Sequence, residues 1–184
     1  MRAADRWHGA GSVARFASRC AAVLLLACAA RAPADVTRDD ALPLDAFPRE
    51  PLVVETRSAR RVEFDAWRAD TPETREQGLM FVTRLDPSRA MFFVYDPPAR
   101  VSMWMKNTLI PLDMLFVDAG GCVVMVKRDA LPQSLALISA PVAVSLVVEL
   151  AGGTASRLGI SAGDRVARPA MPWPDPARRC NPTG

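Results

Sequence analysis

Two apolar runs separated by a glycine-containing turn constrain this chain's fold more than any other sequence feature. LDMLFVD at 112–118 and CVVMVKRD at 122–129 each have the length of one strand. Asp118-Ala119-Gly120-Gly121, where the runs meet, has the turn chemistry of a hairpin. The segment is therefore predicted to be a β-hairpin.

Other segments with strand or helix patterns surround this hairpin. Strands are predicted at 61–69, 90–96, 101–107, 142–150 and 163–169, and a short helix is predicted in TASRLG. A second helix should begin with Asp70 or Thr71 as N-cap and run through ETREQGLMF. The fold class that follows is α+β: a β-rich, mostly antiparallel, small barrel-like sheet with two short helices.

The first 34 residues resemble an export signal and not part of the domain. Four arginines precede the apolar run AAVLLLACAA, which is followed by Ala32-Pro33-Ala34, where cleavage is expected. LLAC, ending at Cys28, also resembles a bacterial lipobox, so a lipidated Cys28 is the alternative. The expected organisation is signal peptide 1–34, linker 35–58, domain 59–169 and Pro-rich tail 170–184.

Charge and compartment follow from this leader. Its loss removes five of 23 basic and one of 20 acidic side chains, which leaves 18 and 19 and a net charge of −1. A near-neutral domain lacks the basic surface of a nucleic-acid-binding protein, so no nucleic acid is expected as a partner. The location is predicted to be exported and periplasmic, with membrane contact only through the signal peptide or a lipid anchor.

The residue inventory excludes several chemistries. The only histidine, His8, lies in the leader, so histidine-based nucleophile systems and imidazole zinc sites are excluded from the domain. No phosphate-binding glycine loop is present, and no cofactor or metal is expected. Cys122 and Cys180 remain after the leader and are a candidate disulfide in an oxidising compartment.

The segment MWMKNTLIPLDMLFVD carries the strongest candidate site. Lys106 is one of two lysines in a chain that otherwise uses arginine, and lysine is the compact cation whose pKa burial shifts most readily. On an extended strand, Trp104 and Lys106 would share one side, as a binding surface or as a cation–π pair. Asn107 and Thr108 are either ligand contacts or turn caps.

Two carboxylates in apolar strands complete the set of candidates. Asp113 and Glu149 must each be paired or lie at an opening, because an unpaired buried charge is unfavourable. Together with Lys106 they form either an acid–base set, and so the candidate catalytic residues, or a structural ion-pair network.

These residues also carry a family resemblance. TPETREQGLMF, AMFFVYD, WMKNTLIPLDMLFVD and VVELAGGTASRLGISAGD resemble the DUF192 family, a domain of unknown function, over about residues 60–168. The resemblance implies a compact β-rich fold and no established activity. Met103, Ala90 and Gly120-Gly121 depart from the family pattern, and the candidate site residues follow it.

Three functions remain open on these observations. The first is a binding or accessory module whose rim (Trp104, Lys106, Asn107, Thr108 and Asp113) holds a small polar or anionic ligand, a sugar or a peptide. The second is a hydrolase or transferase that uses Lys106 with Asp113 or Glu149. The third is a purely structural accessory protein.

Overall fold

A computed structural model describes residues 36–171 and Cys180. The leader predicted at 1–34, with the lipidation candidate Cys28, lies outside the described residues, as does most of the tail at 170–184. None of the described helices has the length and apolar character needed to cross a membrane.

Nine strands and two short α-helices make up the described domain. The strands are Arg49–Glu55 (β1), Arg61–Ala69 (β2), Arg89–Ala99 (β3), Ser102–Met103 (β4), Leu112–Val117 (β5), Val123–Ala130 (β6), Ile138–Ser139 (β7), Val144–Ala151 (β8) and Arg165–Ala167 (β9). The helices are Pro72–Gln77 (α1) and Thr154–Leu158 (α2), and a 3₁₀ turn spans Leu44–Ala46.

Seven strands form one curled sheet in the order β6-β5-β8-β3-β2-β1-β9, and β4 pairs with β7 in a separate ribbon. Within the seven-stranded sheet, only β2 and β3 run parallel. The two sheet edges meet at one end, where Val123 N donates to Asp164 O at 2.9 Å and Val166 N donates to Gly121 O at 2.8 Å. The predicted fold class is thus confirmed as a half-barrel with mixed, mostly antiparallel pairing.

Apolar side chains cover both faces of the sheet because its central strands alternate between two cores. In β3, Met91 and Phe93 join one core while Phe92 joins the other. The first core also contains residues after α1 and around β4, and the second contains Ala155 of α2. The central strands are therefore apolar almost throughout, and a polar residue on them is an exception that needs a reason.

Helix α1 begins after the predicted N-cap but ends at Gln77, before the predicted end at Phe81. Thr71 is the N-cap, and its hydroxyl accepts from Thr74 N at 3.2 Å in a reciprocal capping box. The C-cap is Gly78, whose φ is +51° and where a Cβ would lie 2.9 Å from Phe93 Cζ. Only glycine combines this conformation with so close an approach, so the glycine of GLMF fixes the helix end against β3.

Two further sequence predictions need correction. The linker predicted at 35–58 contains β1, whose Leu52 and Val54 are fully buried and which pairs with β2 along its length. The proline and the charges of this segment favour irregular structure. Pro51, however, lies outside the part of β1 that pairs with β9, so the missing N–H of the proline costs no hydrogen bond to that strand. The strand predicted at 101–107 ends at Met103.

A disulfide joins Cys122 to Cys180 with a Cα–Cα distance of 5.3 Å. Cys122 lies where the two sheet edges meet, since it bridges Arg165 across the closure. The bond therefore ties a residue of the C-terminal tail to the end of the half-barrel that the edge hydrogen bonds already close.

Candidate functional site

A pocket of about 120 Å³ lies between α1, the outer end of β3 and the chain that follows β4. Four sequence-predicted candidates are among its lining residues: Trp104, Lys106, Thr108 and Glu149. Residues of α1 and of β3 supply much of the remaining wall, among them Arg75 and Tyr95. The pocket is smaller than the roughly 300–1,000 Å³ typical for drug-sized ligands, so it suits a group of a few heavy atoms.

The chain from 104 to 108 forms a compact turn beside the pocket, which we call the 104–108 loop. Thr108 N donates to Met105 O at 3.1 Å, and Asn107 adopts a left-handed φ of 55° that asparagine tolerates better than most residues. Met105 is fully buried in the core. Its anchoring in the core fixes the loop and leaves Trp104 at the surface.

Trp104 and Lys106 contact each other, although they lie on a loop and not on the expected strand. Lys106 Nζ lies 5.1 Å from the centroid of the Trp104 ring, which is cation–π distance. Trp104 is 43% exposed and Lys106 is half-buried. The pair thus places an aromatic face and an ammonium at the pocket mouth.

Glu149 is the buried carboxyl of the pocket. It lies on β8, paired with Met91 of β3 and Met114 of β5, and only 4% of it is exposed. Burial raises the pKa of the Glu149 carboxyl from 4.5 to about 8. At neutral pH this group is therefore mostly protonated, and it can donate a hydrogen bond into the pocket.

Arg75 and Tyr95 belong to the pocket and were not predicted from the sequence. Arg75 donates through one guanidinium nitrogen to Asp70 O at 2.7 Å and Val94 O at 3.1 Å, and it lies 5.7 Å from the Tyr95 ring centroid. Burial, and secondarily the charge of Glu149, raises the pKa of Tyr95 to about 12. The signals that could have found them are Arg75 inside the TPETREQG motif and Tyr95 as the only tyrosine of the chain.

Asp113 lies on the other face of the sheet from Glu149. It pairs with Leu150 on β8, one residue beyond Glu149, and successive strand residues face opposite sides. Its two oxygens accept from Asp129 N at 2.8 Å and Ala155 N at 2.7 Å. The carboxylate therefore fixes the start of α2 against β6, and it is not among the pocket-lining residues.

Asn107 and Thr108 make local and tertiary bonds typical of loop-fixing residues. The Asn107 side-chain amide donates to Val36 O at 3.3 Å, and its backbone oxygen accepts from Phe81 N at 2.9 Å. The Thr108 hydroxyl donates to Lys106 O at 3.3 Å. Thr108 lines the pocket, whereas Asn107 connects the loop to the chain around it.

The arrangement brings one buried acid (Glu149), one exposed acid (Glu76) and two cations into the lining of a space for a small group. Among residues 36–171 and Cys180, no three His, Cys, Asp or Glu side chains lie close enough together to hold a metal ion. The chemistry that the described residues offer is hydrogen bonding, charge pairing at the rim and proton exchange at Glu149.

Comparison with known proteins agrees with this architecture. The model of the DUF192 family, described as Uncharacterized ACR, COG1430, matches residues 53–168. A search of curated proteins found no match.

Two solved structures are similar to the chain. One, from Sinorhizobium meliloti 1021, is described as a candidate transcription regulator; identity is 38%, the TM-score is 0.65, and the match covers 66% of this chain and 95% of that one. The other, from Novosphingobium aromaticivorans DSM 12444, is a protein of unknown function; identity is 35%, the TM-score is 0.66, and coverage is 68% and 89%.

Proposed function

This chain belongs to the DUF192 family, and we propose that its domain is a binding module whose pocket holds a compact polar group. The observation that carries the proposal is the convergence of Trp104, Lys106 and Thr108 with the distant Glu149 on one pocket. These residues come from separate parts of the chain, and a purely structural motif would not require them to share a cavity.

The lining favours an acidic or hydroxyl-bearing group. Lys106 and Arg75 supply two positive charges against the one exposed acidic side chain of Glu76, and this balance attracts a carboxylate. A protonated Glu149 does not repel that carboxylate and can donate a hydrogen bond to it. Trp104 offers an aromatic face to the part of the ligand that lies outside the pocket. The ligand class we favour is therefore a small organic acid, or the acidic or hydroxyl-bearing end of a sugar or peptide.

A second candidate function is a hydrolase or transferase. It is favoured by one observation, a buried carboxyl with a pKa of about 8 in the same pocket as a lysine. In this mechanism Glu149 would exchange a proton with the ligand and Lys106 would stabilise negative charge. Asp113 has no part in it, because both of its oxygens accept backbone hydrogen bonds on the opposite face of the sheet.

The cellular location of this module is also part of the proposal. Export to the periplasm, with either cleavage near Ala34 or lipidation at Cys28, is consistent with the leader sequence and with a disulfide in the domain. The description of the Sinorhizobium structure raises gene regulation as a role, but a net charge of −1 after the leader does not favour nucleic-acid binding.

Binding can be tested with a panel of hydroxy acids, sugar acids and dipeptides, read by thermal shift and by amide chemical shifts. We expect Lys106→Met to reduce the affinity of any hit by about 1.5–3 kcal/mol, the typical contribution of a hydrogen bond to a charged group. The matched control is Lys127→Met, which removes the other lysine at an exposed site on β6.

The outcomes separate the three functions. If Lys106→Met leaves the shifts of every hit unchanged, the binding proposal is refuted. If the variant changes stability and no compound binds the wild type, the motif has a structural role. Turnover of a hit that Glu149→Gln abolishes without loss of binding would identify an enzyme.

A further inference from the structure

Most of the well-exposed large apolar side chains of the described residues lie in two segments that the backbone joins. Trp104 is 43% exposed, and Leu131, Leu135 and Leu137 are 71%, 66% and 67% exposed. We call these four residues the apolar surface, and the segment 131–137 the leucine loop. Leu42, at 42%, is the other described residue in this class. Single exposed leucines are ordinary, but three within seven residues call for a reason.

The backbone brings Trp104 and the leucine loop together. The two-residue strands β4 and β7 pair with each other, so Trp104, which follows β4, and Leu137, which precedes β7, leave the ribbon at the same end. Met105 N also donates to Ser134 O at 2.9 Å, which holds the middle of the leucine loop against the 104–108 loop. The backbone therefore holds the leucine loop beside the segment that carries Trp104, and Leu131 and Leu137 line one groove there.

Charge around this surface has one prevailing sign. No charged residue occurs between 130 and 148. Both lysines of the chain adjoin the surface: Lys106 packs over Trp104, and Lys127 lines a groove together with residues of the leucine loop. Asp129 is the acidic residue that precedes the loop. Lysines suit the edge of an apolar surface next to anionic groups because their long stems let the ammonium reach outward.

Val36, the first residue that the structure describes, contacts the 104–108 loop, which also carries Trp104. The side-chain amide of Asn107, in the 104–108 loop, donates to Val36 O at 3.3 Å. Cys28, the lipidation candidate, precedes Val36 by eight residues. A stretch of that length spans at most about 28 Å. An acyl chain on Cys28 would therefore keep the apolar surface within reach of a bilayer.

From these observations we infer that the apolar surface docks on a lipid bilayer that carries anionic headgroups. The leucines enter the boundary between headgroups and acyl chains, Trp104 lies at the level of the headgroups, and the lysines contact the phosphates. Docking of this kind is peripheral, since three leucines and one tryptophan bury too little area for insertion. The bilayer and the proposed ligand would share Trp104 and Lys106, but Leu131, Leu135 and Leu137 do not line the pocket, so substitution of these leucines tests docking separately from ligand binding.

The test uses the full chain, as the producing cell processes it, and vesicles of phosphatidylethanolamine and phosphatidylglycerol with brominated acyl chains. The variant carries Leu131→Ser, Leu135→Ser and Leu137→Ser, and the control is Leu42→Ser. We expect partition onto vesicles to fall by at least about tenfold in the triple variant, because affinity for the interface scales with buried apolar area. The control should match the wild type.

A second measurement remains valid if the N-terminal segment itself holds the protein on vesicles. Brominated lipid should quench part of the wild-type tryptophan fluorescence, and Trp104→Phe should remove that part while the signal of the other tryptophans stays the same. Equal partition of the triple variant and the wild type, with quenching that does not depend on Trp104, overturns the inference. Loss of a dimer in the triple variant, with no vesicle binding by the wild type, also overturns it and assigns the surface to a second copy of the chain.

Discussion

Replacing Glu149 with glutamine is expected to abolish a large pH dependence of stability. Glutamine has nearly the shape of the protonated carboxyl and carries no charge at any pH. The folded protein holds the Glu149 proton up to about pH 8, whereas the unfolded chain releases it near 4.5. The folded state therefore binds more protons between these values, and the wild type loses stability as the pH rises through that range.

The magnitude follows from the two pKa values. Their difference is about 3.5 pH units, and each unit corresponds to about 1.4 kcal/mol, so full ionisation costs the folded wild type on the order of 5 kcal/mol. Glu149 is almost fully buried, so solvent does not screen this effect. Below about pH 4.5 both states are protonated, and above about pH 8 both are ionised, so the slope vanishes at either end.

Urea unfolding of the wild type and Glu149→Gln at intervals between about pH 5 and pH 8 measures the effect. The stability of the variant relative to the wild type should increase by about 1.4 kcal/mol per pH unit. The difference between the two proteins is the informative quantity, because burial also raises the pKa of Asp164 and contributes a slope of the same sign to both.

Glu76→Gln is the matched control, since Glu76 is an exposed glutamate that lines the same pocket. Its pH profile should parallel that of the wild type. If the gap between the wild type and Glu149→Gln changes by less than about 0.5 kcal/mol over this range, the carboxyl ionises in contact with water. The picture of a protonated hydrogen-bond donor in the pocket is then wrong.

Two further predictions concern residues that we place outside the pocket. Asp113→Asn should lower the free energy of unfolding by about 1–3 kcal/mol, because an amide can accept at only one of the two positions and leaves a buried backbone donor unpaired; urea unfolding measures this, and an unchanged midpoint contradicts it. The double variant Cys122→Ser and Cys180→Ser should lose about 4 kcal/mol, since the disulfide closes a loop with a sequence separation of 58. Wild-type unfolding with and without reductant should show the same loss, and equal midpoints under both conditions would refute it.

Strands and helices whose signals lie within a few neighbouring residues were predictable from the sequence. β2 covers the predicted residues 61–69, and α1 begins after the predicted Thr71 cap, because alternation and capping act within a few residues. β1 was not predicted, because its stability comes from pairing with β2 and not from its own composition. β7 was missed for the same reason, since a two-residue strand carries no periodicity, and β4 was predicted only as part of a longer strand at 101–107.

The candidate site was predictable where its contacts are close in sequence. Trp104 and Lys106 are two residues apart, and they contact each other even though the predicted strand between them does not form. The separation of Asp113 from Glu149 depends on the register of β5 against β8, which a single sequence does not encode locally. The position of Arg75 in the pocket was not predictable, because it depends on where α1 packs against the sheet.

The polar and aromatic residues between 104 and 113 have two different roles. Asn107 and Asp113 direct their polar groups to backbone partners, and so they fix the 104–108 loop and the start of α2. Trp104 and Lys106 lie at the exposed edge of the same loop, where one side adjoins the pocket and the other adjoins the leucine loop. Some residues of this motif hold the backbone and others face outward. The motif can therefore have a defined sequence although only some of its residues would touch a ligand. Loss of a holding residue should therefore affect stability first, and loss of an outward residue should affect recognition first.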